Sequence, residues 1–252
     1  IDRSRGLGDV YKRQAPGGLI KQHEVDHSKS VIGISAVNIT VTGGGITTAQ
    51  AKELSSKTDG ILTATLSDTT IATLFDSTNG LTEAITTSFP GNALTISVTD
   101  AEVTAANLKK LATMTSGTIS LDASTAANIQ SPGIAGSIAD INAVYGDSKF
   151  APAGLAASAV TITGGASVSQ INNIATSGVI TASVTDGDMA TLSGLTESTN
   201  NLTITVTDAT VSATALEALD AKTTGQLNVS STSTLTGTLA EVTSALGLSL
   251  IH

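Results

Sequence analysis

The sequence predicts an α/β solenoid, in which strand–turn–short-helix coils of about 22–25 residues stack on one parallel sheet. An all-β parallel solenoid is the alternative. Three observations carry the prediction. Runs with period-two alternation recur along the chain, and helical spacing separates them. The heptapeptide LTISVTD at 94–100 also returns almost unchanged as LTITVTD at 202–208.

The strands come first. VNITVT (37–42), LTATLSD (62–68), LTISVTD (94–100) and TISLD (118–122) make one series. VTIT (160–163), ITASVTD (180–186), LTITVTD (202–208) and QLNVS (226–230) make a second. Aliphatic side chains alternate with Thr or Ser in most of them, as in a strand with one buried face. Between strands the spacing turns helical, with Leu108 and Leu111, Leu216 and Leu219, and Ile171 and Ile174 three apart. Thr104, Ser212 and Ser169 stand where N-caps belong, and Gly117, Gly225 and Gly178 where the helices must stop. Helices this short are marginal alone, so each coil needs its neighbours.

A longer duplication overlies these units. AVNIT at 36–40 matches AVTIT at 159–163, and GSIADINAVYG at 136–146 matches GTLAEVTSALG at 237–247. The chain therefore divides into a first block over 35–146, a connector over 147–158 and a second block over 159–247. Pro152 and Gly154 mark a turn or linker in the connector. An insertion is expected over 81–92, and residues 15–34 read as a linker or the edge of a preceding unit. SRGLGDVYKRQ at 4–14 and LSLIH at 248–252 read as translated transposase-type sequencing adaptors in opposite orientations. Residues 1–14 and 248–252 are accordingly expected to be artefactual, and 15–247 an internal stretch of a longer reading frame.

Composition narrows the function classes. The 252 residues carry 12 Lys and Arg against 21 Asp and Glu, a net charge of -9. Every Arg lies within 1–14, so the remainder has none. Such a chain is not built for nucleic acid or an anionic membrane, which call for clustered Lys and Arg. No apolar run approaches the ~18 residues of a spanning helix. There is no Cys, hence no disulfide framework, and with 2% aromatic residues the core must be aliphatic.

Stretches such as VTDATVSATALEALDAKTTGQLNVSS and LTGTLAEVTSAL resemble the Ala/Thr-rich tandem repeats of very large bacterial surface proteins, notably those of marine cyanobacteria. The resemblance spans about 36–247, nearly the whole chain between its adaptor-like ends. It implies an extracellular or cell-surface location and a non-catalytic structural or adhesive role. Its partners would be neighbouring repeats of the same longer chain, with surface polysaccharide or another cell outside. It transfers no catalytic or cofactor-binding residue.

Four features invite chemistry. Asp68, Asp100, Asp186 and Asp208 end strands, and TDGD adds Asp188. Adjacent parallel strands lie about 4.8 Å apart, so these carboxylates either share a calcium ion or hydrogen-bond turn backbone. The turn role is the expected one, because calcium needs six to eight oxygens. The second feature is a grid of outward hydroxyls, Thr63 and Thr65, Thr95 and Thr99, Thr181 and Thr185, then Thr203, Thr205 and Thr207. Such a face resembles the ice-binding faces of some β-solenoid antifreeze proteins, although Thr is also simply a good exposed strand residue. Third, HEVDH at 23–27 fits the H-E-x-x-H zinc pattern without the rest of a protease around it. Last, paired Asp or Glu alone suffice for a polysaccharide-cleaving solenoid, but aromatic sugar platforms are scarce. No other cofactor is expected.

Overall fold

The computed structural model describes residues 36–76, 91–121, 124–125, 128–129 and 133–248. The first half runs β1 (Ile39–Thr40), α1 (Thr48–Ser55), β2 (Leu62–Thr65), α2 (Ile71–Leu74) and β3 (Ala93–Val98). It continues through β4 (Glu102–Thr104), α3 (Ala105–Thr113), β5 (Ile119–Leu121), β6 (Ser124–Thr125) and β7 (Asn128–Ile129). Then come β8 (Gly133–Ser137), α4 (Ile138–Tyr145) and α5 (Pro152–Ala157). The second half holds β9 (Val160–Thr163), α6 (Val168–Asn172), β10 (Ile180–Ser183), α7 (Met189–Leu192) and β11 (Asn201–Thr205). It closes with β12 (Thr210–Ser212), α8 (Ala213–Asp220), β13 (Leu227–Asn228), β14 (Thr234–Thr236) and α9 (Leu239–Gly247).

The fold is mixed α/β with parallel sheets, and its helices exclude the all-β alternative. The expected single sheet is corrected to several. One sheet has the order β1-β2-β3-β5, and a larger one β13-β11-β10-β9-β8-β4. β12 pairs with β14 in parallel, and β6 with β7 antiparallel. The division arises because the Asp100 and Asp208 turns lead into three-residue strands, β4 and β12, before the helices begin. β4 pairs with β8, and β8 pairs with β9, so the ladder begun by β4 continues into the second half. Thr65 pairs with Thr95, so β2 and β3 are direct neighbours. Most of the expected insertion, including 81–90, lies outside the described residues.

Alternation builds the core as expected. Leu94, Ile96 and Val98 are fully buried, as are Leu202, Ile204 and Val206. Leu108, Leu111, Leu216, Leu219, Ile171 and Ile174 meet them from the helical segments. Each fully buried Leu or Ile contributes roughly 1.5–3 kcal/mol. Helices of four to nine residues are held by this packing rather than by propensity.

The caps are partly as read. Thr104 accepts the Asn107 N–H and Ser212 the Ala215 N–H. The cap of α6 is Ser167 instead of Ser169, in a capping box with Gln170 that matches Thr47 and Gln50 on α1. Pro152 opens α5 rather than marking a turn, consistent with its ring suiting the first helical turn. Gly117, Gly178 and Gly225 are not left-handed helix stops, since none has a positive φ. A Cβ on each would lie 2.2–2.4 Å from a carbonyl oxygen of Leu94, Ser158 or Leu202. They are glycines because one backbone lies directly against another.

Candidate functional site at the strand ends

The strand-end carboxylates share one geometry. Asp68 follows β2, and its Oδ2 accepts the Thr48 N–H at 2.6 Å, at the start of the helix after the neighbouring strand β1. Asp100 Oδ2 accepts the Ile71 N–H at 2.8 Å. Asp186 and Asp208 do the same for Val168 and Met189, each at 2.7 Å. In every case the N–H belongs to the first residue of a helix. That group has no partner within its own helix.

A second acceptor completes each helix start. Thr47, Thr70, Ser167 and Asp188 accept an N–H from the third helical residue of α1, α2, α6 and α7 respectively. Each of these helices is thus capped twice, once locally and once from the next strand. The local Asp188 carboxyl is held below its ordinary value, chiefly by the Thr191 backbone N–H. Asp188 therefore belongs with the caps. The expected turn role of the strand-end Asp residues needs one correction, because the backbone they satisfy lies 18–29 residues away rather than in their own turn. Among the described residues, no group of three or more His, Cys, Asp or Glu is placed to hold a metal ion.

The Thr face is exposed at Thr63, Thr65, Thr95, Thr99, Thr185, Thr203, Thr205 and Thr207, and half-buried at Thr181. Its rows are short. Thr40 pairs with Thr63 but Thr63 then meets Ala93. Thr161 pairs with Thr181, which then meets Asn201, and Thr205 meets Asn228. Thr185 and Thr207 also have packing roles. A Cβ on Gly165 would lie 2.9 Å from the Thr185 methyl, and one on Gly187 2.6 Å from that of Thr207.

Sequence reasoning missed the buried polar residues. Thr-x-Gly occurs at 58–60, 115–117, 176–178 and 223–225. In each case the Gly N–H donates to the Thr hydroxyl two residues before it. Thr115 also accepts the Leu94 N–H, and Thr223 the Leu202 N–H, each at 2.9 Å. These hydroxyls in turn donate to the Leu94 and Leu202 carbonyls. Asn92 and Asn200, both nearly fully buried, accept the Leu62 and Ile180 N–H groups through their side-chain oxygens. The recurrence of Thr-x-Gly was a usable signal. The two Asn residues share only the NxLTI context, a weaker one.

A groove of about 440 Å³ lies beside α5, lined by Tyr145, Phe150, Pro152 and Leu155, with Asp147 the one carboxylate among the described residues of its wall. His23, Glu24 and His27 of the zinc-like motif lie outside the described residues. No helix among the described residues is long and apolar enough to cross a membrane. Comparison with protein-family models, with curated proteins and with solved structures gave no match.

Proposed function

We propose that the chain is a non-catalytic structural or adhesive segment of a large secreted or cell-surface bacterial protein, built as a solenoid whose coils are tied to one another. One observation carries the reading. The same carboxylate-to-helix tie occurs between successive coils at Asp68, Asp100, Asp186 and Asp208. The residues that looked most chemical thus serve coil-to-coil cohesion. Stability of such an array is a sum over coils and their interfaces, which suits a stalk or surface coat. Its partners would be further coils of the same kind, with surface polysaccharide or another cell beyond them.

Two other readings have less support. An ice- or crystal-binding face draws on the Thr65–Thr95 and Thr161–Thr181 pairs, but Ala93, Asn201 and Asn228 break its rows. A polysaccharide-cleaving enzyme would need two carboxylates facing one groove, and among the described residues lining the groove beside α5 there is one, Asp147.

Pulling the chain by its ends in an optical trap tests the proposal. Coils that fail in turn give steps of about 22–25 residues, roughly 7–9 nm each at ~3.3–3.6 Å per residue. One all-or-none rupture of the whole chain would contradict it.

A further inference from the structure

The second half carries a cavity where the first half carries a serine. From N-cap to Thr-x-Gly, one layer runs from Thr47 to Thr58 and its counterpart from Ser167 to Thr176, two residues shorter. Leu54 matches Ile174 and Lys57 matches Ala175, so the missing pair corresponds to Ser55 and Ser56. The helices show the same loss, α1 having eight residues and α6 five.

Ser55 has a definite job. It is 2% exposed, and its Oγ accepts the Asn92 Nδ2–H at 3.0 Å. The Asn92 Oδ1 accepts the Leu62 N–H, so this buried amide is engaged at both ends. Asn200 repeats only half of the arrangement. Its Oδ1 accepts the Ile180 N–H at 2.8 Å, which fixes Nδ2 on the other side. Asn200 is 3% exposed, yet among the described residues its Nδ2 meets no acceptor. A buried donor without a partner is costly, so this amide calls for an oxygen from outside the chain.

A cavity of about 70 Å³ lies against Asn200, with exposed Thr196 and Glu197 in its lining. Its other polar walls are largely committed. Asn172 Nδ2 donates to the Gly194 carbonyl, and its Oδ1 accepts the Thr196 N–H. The Thr176 and Ser177 hydroxyls donate to the Ser158 and Ala156 carbonyls. The strongest groups left are one donor, Asn200 Nδ2, and one acceptor, the Glu197 carboxylate. A hydroxyl is the neutral group that accepts from the first and donates to the second. A lone water fills only about 10–15 Å³, so the cavity has room for neighbouring hydroxyls of one molecule. Glu197 and the net charge of -9 work against anionic ligands.

We infer that this cavity seats adjacent hydroxyls of a neutral sugar, held between Asn200 Nδ2 and the Glu197 carboxylate. The inference rests on the surface-protein reading and gives the polysaccharide partner proposed there a place on the chain. Among the described residues no aromatic ring lines the cavity, so binding is weak and depends on these two groups.

Saturation-transfer NMR on the full chain tests it, with glucose, galactose, mannose and glucuronate as probes. At least one neutral sugar should receive saturation from the parent, and glucuronate should not. Glu197→Ala, at an exposed position, should weaken that binding about tenfold at an unchanged melting temperature, as loss of one charged hydrogen bond implies. A second variant inserts Ser-Ser between Ile174 and Ala175. It rebuilds the first-half layer, hands Asn200 a hydroxyl and closes the cavity, so binding should vanish while the fold melts no lower than the parent. No transfer to any neutral sugar would mean that the cavity holds water alone, and would overturn the inference. Equal transfer to glucuronate, or undiminished transfer in Glu197→Ala or in a folded insertion variant, would overturn it as well. None of these results touches coil stacking, which an all-or-none rupture in the trap would sink instead.

Discussion

The Oδ2 of Asp186 accepts the backbone N–H of Val168 at 2.7 Å, reaching from the end of one strand to the helix that follows the strand beside it. The same arrangement joins Asp208 to Met189, Asp100 to Ile71 and Asp68 to Thr48. One carboxylate thereby closes a strand, caps a helix and fixes the stacking of two layers.

Replacing Asp186 by Ala orphans that N–H and removes a charge-assisted bond, at a cost of about 1–2 kcal/mol. Asp186→Asn keeps an acceptor and should recover more than half of the loss. Urea melts of the two variants against the parent check this, with equal midpoints for Ala and parent as the adverse result.

Acid should loosen the local caps. The Asp188 carboxyl is depressed below its ordinary value of 3.8 by the Thr191 N–H, and Asp140 by Lys109 and then Ser137. A depressed folded pKa means stability that is present above the unfolded value and lost as pH falls through the folded one. Melting temperature should therefore drop below about pH 3.8. Asp188→Asn, which caps without titrating, should flatten that limb, and parallel curves for variant and parent would argue against the assignment.

Gly178→Ala would set a methyl 2.2 Å from the Ser158 carbonyl oxygen, and both partners are backbone. The adjacent strands would have to part, so a loss of roughly 4 kcal/mol or more is expected. Gly247→Ala has nothing within 4 Å of its new methyl and should be neutral or gain up to about 1 kcal/mol. Similar melts for both variants would remove close approach as the reason for the glycine.

Thr223→Val keeps the shape but leaves the Leu202 and Gly225 N–H groups without their hydroxyl acceptor. Each buried orphan costs about 1–3 kcal/mol. Thr223→Ser retains the oxygen and should lose only the methyl's share, about 1 kcal/mol. Denaturant midpoints for the pair separate the hydrogen bonds from packing.

Much of this was legible in the residues. Leu202, Ile204 and Val206 read as inward and Thr203, Thr205 and Thr207 as outward, and the structure buries and exposes them so. Leu216 and Leu219 announced a helix face that is buried. What escaped was whatever depends on contact between layers. Glu102–Thr104 is too short for a period to show, so β4 and the second sheet it begins were not foreseen. Gly117 looked like a helix stop because its neighbour in space, Leu94, lies 23 residues away. Asp186 looked like a turn residue for the same reason, since Val168 is 18 residues earlier.

Amide hydrogen exchange under native conditions tests the central claim most directly. First-turn amides of a helix ordinarily exchange freely for want of a partner. Here Thr48, Ile71, Val168 and Met189 should be protected in the parent, and Asp186→Ala should lose protection at Val168 while Met189 keeps its own. A Val168 amide that exchanges in the parent as fast as an exposed one would contradict the account.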